Sequence, residues 1–404
     1  MAERFSFVND WLLRAVRRVA GNPGVRIDLQ GRNLPAPAIL YRDRAALVRS
    51  ILGGECGFGD GYANGHVRVD GDLVTVLEEV YRSLRAAHSP TWLERSLKRV
   101  RLLAHPNSRA GARRNIHRHY DIGTGFYRLW LDRDLVYTCA YFDDPEMTLE
   151  EAQQAKMDLV CRKLGLRSGE RVVEAGCGWG SLALHMARNY GVVVRAYNIS
   201  ADQICWARQR AREEEITGRV EFVEDDYRSI TGKYDVFVSI GMLEHVGASN
   251  YAELGRVIHR AVGASGRGLL HFIGRDRPEP LSPWINQRIF PGAYAPTLAE
   301  MLPLLEPWEY SVLDVENLRP HYARTLQHWL KRYERAYSKV VAQFGEEFAR
   351  AWHLYLAGSV AAFRAKTLQL FQVLFAGREC AFMPWTRKAL YAWPTEAPCA
   401  AATF

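Results

Sequence analysis

The spacing of hydrophobic positions along this 404-residue chain changes several times, and each change predicts an element. Val67 and Val69 alternate with polar neighbours, the period of a half-buried strand. Leu73 to Leu84 then places apolar residues three and four apart, the period of a helix. Further on, short apolar runs alternate with longer helical patterns. Arg171 to Ala175, Val192 to Tyr197, Val220 to Val223, Asp235 to Ile240 and Gly268 to Phe272 read as strands. Ser181 to Asn189, Ala201 to Glu215 and Tyr251 to Val262 read as the helices between them. Such alternation builds a mostly parallel sheet with helices on both faces, so a Rossmann-like α/β domain is expected. Trp329 to Ala376 carries apolar residues three and four apart and is expected to be helical throughout.

Turn signals divide the chain. Residues 1–88 read as one small α+β domain, with Gly53-Gly54, Gly57-Phe58-Gly59-Asp60-Gly61, Asn64-Gly65 and Asp70-Gly71 as turns between short apolar stretches. His88-Ser89-Pro90 breaks the pattern, because Pro90 biases Ser89 away from helix. Residues 89–115 form a basic linker, and residues 116–404 form the larger domain, to which added helices are assigned.

Hydrophobic residues are 48% of the chain and charged residues 24%, the profile of a folded globular protein. No apolar run reaches the ~18 residues of a membrane span. The charged start, Met1 to Asp10, does not read as a secretory signal, and a cytoplasmic location is expected. The seven cysteines are scattered without a C-x-x-C pair, so neither a disulfide framework nor a metal site is expected. A net charge of +8 suits nucleic acid or anionic lipid equally, with Arg and Lys dense in 95–101 and 109–118.

The strongest single motif is Glu174-Ala175-Gly176-Cys177-Gly178-Trp179-Gly180, which follows a predicted strand and opens a predicted helix. Its glycines permit a tight turn and close approach of backbone to a ligand. The form is G-x-G-x-G, which differs from the dinucleotide fingerprint. Glu174 stands where class I methyltransferases place a carboxylate near the methionine end of S-adenosylmethionine, whose sulfonium and ammonium are cationic. The second strand ends in Tyr197-Asn198-Ile199-Ser200 without an acid, leaving Asn198, Ser200 and Gln203 as candidates for the ribose. Asp226, Tyr227 and Arg228 follow the third strand, where the adenine is usually met.

Several segments together resemble one family. They are His119-Tyr120-Asp121-Ile122-Gly123 with Phe126-Tyr127, Tyr137-Thr138-Cys139-Ala140-Tyr141-Phe142, and Gln153-Gln154-Ala155-Lys156. Ser239-Ile240-Gly241-Met242-Leu243-Glu244-His245-Val246-Gly247 and His271-Phe272-Ile273-Gly274 complete the set. All are similar to cyclopropane-fatty-acid synthases and the related mycolic acid methyltransferases, over about residues 110–390. Phe58-Gly59-Asp60-Gly61-Tyr62 also resembles the extra domain of the longer bacterial synthases.

The resemblance implies transfer of a methylene from S-adenosylmethionine to the cis double bond of phospholipid acyl chains. Tyr137, Thr138, Glu174, Gly176, Gly178, Gly180 and the ribose and adenine candidates above would hold the cofactor. It further implies a bicarbonate bound by Cys139, Glu244, His271, Ile273 and Tyr322, a peripheral position at the inner face of a bacterial membrane, and a homodimer organised by an N-terminal domain that is a candidate for lipid binding.

The chemistry explains why such groups are needed. An alkene is a weak nucleophile, and its attack on the sulfonium methyl leaves a carbocation on the acyl chain. Ring closure requires a base to take a proton from the new methyl group, the role the resemblance implies for bicarbonate. Tyr322 OH, a His271 ring N–H and backbone N–H groups near Cys139 and Ile273 are the expected donors to that anion, with Glu244 accepting its hydroxyl. Tyr141, Phe142 and Trp179 are aromatic candidates for stabilising the passing cation. Trp284 to Phe290 are expected to dip into lipid, and the region holding Trp329, Leu330, Phe371, Val373 and Phe375 to provide packing and an acyl tunnel.

Four other readings stay open. The same carbocation can lead to a methylene or a methyl branch. A small-molecule N-methyltransferase shares parts of the pattern. Nucleic-acid modification suits the charge, but Ser239-Ile240-Gly241-Met242 is not the Asn-Pro-Pro-Tyr type of base methyltransferases, and no nucleic-acid partner is expected. A lipid-binding protein with a decayed site is disfavoured by intact Gly176, Gly178, Gly180 and Glu244.

Overall fold

Ten strands and eight long helices account for most of the structure, a computed structural model that describes residues 13–17, 20, 24–29, 37–87, 122–382 and 385–388. The basic linker and the His119-Tyr120-Asp121 start of the first family motif lie outside the described residues.

Strands β1 (Arg26–Leu29) and β2 (Ala38–Tyr41) run parallel, and β3 (Val67–Asp70) pairs antiparallel with β2. Helices α1 (Arg44–Ala63) and α2 (Leu73–Ala87) pack beside this small sheet. The glycine-rich stretch expected to form turns between short elements lies inside α1, which is broken only at Gly54 (φ 53°, ψ −128°). The glycines serve close packing instead. A Cβ at Gly57 would lie 2.1 Å from the Arg49 carbonyl oxygen, and one at Gly61 would lie 2.8 Å from Val67.

The larger sheet begins after α3 (Leu149–Leu164), which opens with a capping box from Thr148 and Glu151 and closes on Gly165 in the left-handed conformation. It contains β4 (Arg171–Ala175), β5 (Val193–Asn198), β6 (Val220–Glu224), β7 (Val236–Ile240), β8 (Arg267–Gly274), β9 (Tyr310–Asn317) and β10 (Gln369–Gly377). The strand order is β6-β5-β4-β7-β8-β10-β9. The first five run parallel, and β10 is antiparallel to both of its neighbours. Helices α4 (Ser181–Tyr190), α5 (Ala201–Glu213) and α6 (Tyr251–Val262) make the crossovers. Strand order reverses between β4 and β7, and open α/β sheets bind ligands at the carboxyl ends of the strands at such a point. The glycine turn after β4 opens there.

Two long helices, α7 (Arg319–Phe344) and α8 (Glu346–Arg364), follow β9. The expectation of helix through Ala376 fails at β10. Gln369 to Gly377 is buried at every position, because β10 is flanked by β8 and β9 and covered on both faces. A continuous apolar run of this kind has no period that separates buried strand from helix. Phe371, Val373 and Phe375, expected on a helix, are therefore strand residues in the core on the α6 side of the sheet.

The two faces of the large sheet each bury a separate apolar core. A third core joins the N-terminal strands to the helical layer. Ile27, Ile39, Leu47 and Val76 share it with Trp130, Trp329, Trp352 and Leu356. Both α1 and α2 pack on α8.

Candidate active site

Two cavities meet above the carboxyl ends of β4, β7 and β8. The smaller is a cleft of 120 Å³ lined by Tyr137, Thr138, Lys156, Glu174, Gly176, Gly178, Trp179, Asn198, Gln203 and Gly241, among others. The backbone after β4 turns through Gly176 (φ 82°), Gly178 (φ 55°) and Gly180 (φ 85°). A Cβ at Gly180 would sit 2.6 Å from the Phe222 ring, so that glycine lets α4 settle onto the sheet. A Cβ at Gly178 would meet nothing within 4 Å, because this position faces the open cleft.

Charge in the cleft is buried. Glu174 is 2% exposed, and its Oε2 has no hydrogen-bond partner among the described residues. Burial pushes its carboxyl up to about 8, against the pull of Lys156. Lys156 is 1% exposed and donates to Thr138 Oγ1 at 3.1 Å. Burial pushes its ammonium down to about 8, while Asp132, Cys139 and Glu174 act in the other direction.

The larger cavity measures 450 Å³. Ile285, Phe290, Leu326, Ala362, Phe363 and Leu368 give it apolar walls, and Glu55, Arg85, Arg275, Asp276, Arg277 and Glu279 add charged ones. Glu244, Ile273 and Tyr322 also line it. Glu244 Oε1 accepts the backbone N–H of Ile273 at 2.6 Å, and Oε2 is buried without a partner among the described residues. Burial pushes this carboxyl up to about 7, opposed by the Ile273 bond. His271 lies on β8, two residues before Ile273 and therefore on the same face of the sheet. Its Nδ1 is 3.0 Å from Gln372 Nε2, its Nε2 is buried without a partner among the described residues, and the residue lines neither cavity. Burial, reinforced by Lys156 and Lys163, holds the ring well below its ordinary pKa, so it stays neutral. Tyr137, Thr138, Gly241 and His245 line both cavities. Tyr137 OH is 2.8 Å from Tyr355 OH.

A family profile for mycolic acid cyclopropane synthetase matches residues 107–373, about two thirds of the chain. This chain belongs to that family. A probable fatty acid methyltransferase of Pseudomonas putida is 39% identical over 285 residues, covering 68% of this chain and 72% of that protein. Cyclopropane-fatty-acyl-phospholipid synthase of Escherichia coli K12 is 38% identical over 259 residues, covering 64% of this chain and 66% of that protein. Among solved structures, mycolic acid cyclopropane synthase CmaA1 in complex with SAH and CTAB superposes with a TM-score of 0.62 at 31% identity. It covers 65% of this chain and 97% of its own. The fold is that of the class I S-adenosylmethionine-dependent methyltransferases, and the chain is an enzyme of that type.

The cleft suits such a cofactor. An orphaned buried carboxylate, an open position at Gly178 and a strand-to-helix glycine turn would hold the sulfonium and amino-acid end of S-adenosylmethionine. Tyr137, Thr138, Glu174, Gly176, Gly178, Asn198 and Gln203 of the expected binding set all line the cleft. Gly180, Ser200, Asp226, Tyr227 and Arg228 do not. Ser200 caps α5 by accepting the Gln203 N–H, and Asp226 pairs with Arg228 Nε at 3.0 Å. Asn198 Nδ2 donates to Gln203 Oε1 at 2.7 Å, which presents these two side chains as one unit.

Four expectations change. The Ile273 N–H, expected to donate to an anion, is given to Glu244 instead. Of the aromatic candidates, only Trp179 reaches the cleft. Tyr141 stacks on His321 at 4.7 Å and Phe142 on His328 at 5.4 Å, and neither lines either of these two cavities. Trp284, expected to dip into lipid, is 4% exposed and donates to Asp60 Oδ1 at 3.0 Å. Cys139 is fully buried, burial pushes its thiol up, and it lines neither cavity.

Lys156 and Thr325 carry no role of their own in the sequence motifs, and Gln372 and Tyr355 lie outside them. Thr325 Oγ1 accepts the Ala140 N–H at 3.0 Å and so fixes the backbone beside Cys139. Lys156 had a readable signal. It stands between Ala152, Ala155, Leu159 and Val160, on the face of α3 that turns inward.

Proposed function

We propose that this enzyme transfers a methylene from S-adenosylmethionine to the cis double bond of unsaturated phospholipid acyl chains and closes a cyclopropane ring. The observation that carries this reading is the shared wall of the two cavities, Tyr137, Thr138, Gly241 and His245. A polar cleft for a cationic methyl donor opens directly beside a larger cavity with apolar walls. The name of the E. coli relative supports the phospholipid substrate.

S-adenosylmethionine supplies an electrophilic methyl group when bound. The chain's own residues must then shield a carbocation from water and offer no nucleophile to trap it. A burial-raised Cys139 thiol and a neutral His271 are weak nucleophiles, which suits that demand. Bicarbonate, if bound, would supply the base for ring closure. Glu244 Oε2 and His271 Nε2, both buried and unpaired among the described residues, fit an anion that carries one donor and several acceptors. Glu244 and Tyr322 line the larger cavity, whereas His271, two residues before Ile273 on β8, is outside the lining of both cavities. Arg85, Arg275 and Arg277 with Glu55, Asp276 and Glu279 in the cavity wall suit a polar headgroup, and the net charge of +8 suits peripheral contact with an anionic membrane face.

The test is product analysis in a bacterium that lacks its own synthase. Fatty acid methyl esters gaining one CH₂, with ring protons and no residual alkene by NMR, support the proposal. A surviving double bond would mean a methylene branch, and two further hydrogens a methyl branch. No lipid change from protein that binds the cofactor would overturn the lipid reading.

A further inference from the structure

We propose that Lys156 binds the carboxylate at the methionine end of S-adenosylmethionine, with Glu174 binding the ammonium of the same end. The inference rests on the cofactor reading of the cleft. It adds a residue and divides the amino-acid group between two side chains of opposite charge.

Lys156 lies deep in α3, and its side chain is nearly inaccessible. Removing an ammonium from water is costly unless it gains partners of its own. An ammonium carries three protons. Among the described residues Lys156 makes one hydrogen bond, to Thr138 Oγ1 at 3.1 Å. Asp132, the acid that acts most strongly on it, makes no hydrogen bond to Lys156 among the described residues and accepts the backbone N–H groups of Asp134 at 3.0 Å and Val136 at 2.9 Å. Glu174 acts on Lys156 through space and keeps Oε2 unpartnered.

Lys156 and Glu174 line the same small cleft. One buried cation and one buried anion, each with hydrogen-bonding capacity left over, complement an α-amino acid zwitterion. Neither an adenosine nor a sulfonium alone calls for the cation. Thr138 lines both cavities, so it couples the Lys156 position to the place where the methyl group must pass. A purely structural lysine that only neutralised Glu174 would have no reason to hold Thr138 or to face the cleft.

The test measures binding to the full chain by calorimetry with three ligands. S-adenosylhomocysteine carries both charged groups, its decarboxylated analogue keeps only the amine, and methylthioadenosine has neither. Wild type is expected to bind S-adenosylhomocysteine more tightly than the decarboxylated analogue. Lys156→Met is expected to weaken S-adenosylhomocysteine by roughly tenfold to a hundredfold. It should leave the decarboxylated analogue unchanged or tighter, and Lys156→Arg should restore part of the loss. Equal weakening of all three ligands in Lys156→Met would overturn the proposal and make the residue structural. A wild type that does not distinguish S-adenosylhomocysteine from its decarboxylated analogue would overturn it without any variant. If wild type binds none of the three, the cofactor reading fails as well, which separates the two failures.

Discussion

The backbone N–H of Ile273 donates to Glu244 Oε1 at 2.6 Å, tying the turn after β7 to the end of β8 and leaving Oε2 buried and unpaired. Burial raises the Glu244 pKa from 4.5 to about 7. The folded state therefore holds this proton over a pH range where the unfolded chain has lost it. Stability from this group is present below pH 4.5 and is lost as pH rises towards 7. Glu244→Gln keeps the acceptor for Ile273 and removes the charge. It should match wild type near pH 4.5 and exceed it above pH 7, by up to roughly 3 kcal/mol. Denaturant unfolding without ligand at both ends of that range checks the sign. A variant no more stable than wild type at pH 8 would show that Glu244 is better solvated than its burial implies. Turnover should move the other way, falling in the variant at every pH.

Gln372 fixes the tautomer of His271. With the Gln372 amide nitrogen 3.0 Å from Nδ1, that ring nitrogen accepts and Nε2 carries the proton. Gln372→Glu replaces the donor with an acceptor and moves the proton to Nδ1. The expected result is a fall in kcat of roughly tenfold to a hundredfold, with S-adenosylhomocysteine affinity unchanged. Nitrogen NMR shifts of the His271 ring should report the exchange of protonated positions. Full kcat in the variant would mean that the Nε2 proton has no part in turnover.

The fold was legible where local spacing and turn chemistry agree. β4 to β8 with their crossover helices follow from alternating short and long patterns and from the glycines after β4. β10 was not legible, because burial on both faces erases the period that marks a strand. The cofactor cleft could be read from Glu174 and three glycines, since ligand, turn and helix start lie within seven residues. Lys156 was visible only as part of a motif, and its partner Thr138 is 18 positions away. Trp284 misled for a similar reason. An exposed aromatic and one anchored by an Asp 224 positions earlier have the same local sequence.

Two glycines of one turn should fail differently. At Gly180 a Cβ would press on the Phe222 ring at 2.6 Å and on Ala207 at 2.8 Å, with φ already at 85°. Gly180→Ala should cost about 2–4 kcal/mol of stability. At Gly178 the space is open and only the backbone is strained, so Gly178→Ala should cost about 1 kcal/mol. Its methyl group enters the cleft, however, and should weaken S-adenosylhomocysteine. Unfolding and calorimetry on the pair check the contrast, which disappears if both glycines serve only the turn.

Gly59 lies directly under Trp284, where a Cβ would come within 2.5 Å of the indole. The indole N–H reaches Asp60 Oδ1 at 3.0 Å, and Arg288 closes on Asp60 Oδ2 at 2.7 Å. The Asp60–Arg288 pair is half exposed, so it contributes about 0–1 kcal/mol. The buried indole matters more, because its neighbours Ser282, Pro283 and Ile285 form part of the larger cavity's wall. Gly59→Val should push Trp284 outward and move that wall without touching the cofactor cleft. Lipid turnover should fall by up to roughly a hundredfold, the scale of a misplaced binding wall, while S-adenosylhomocysteine affinity stays at the wild-type value. Asp60→Asn, which keeps an acceptor for the indole, should remain close to wild type in both. Parallel loss of turnover and cofactor affinity in Gly59→Val would show that the N-terminal contact supports the whole domain. Loss of turnover alone would show that α1 shapes the larger cavity through one indole.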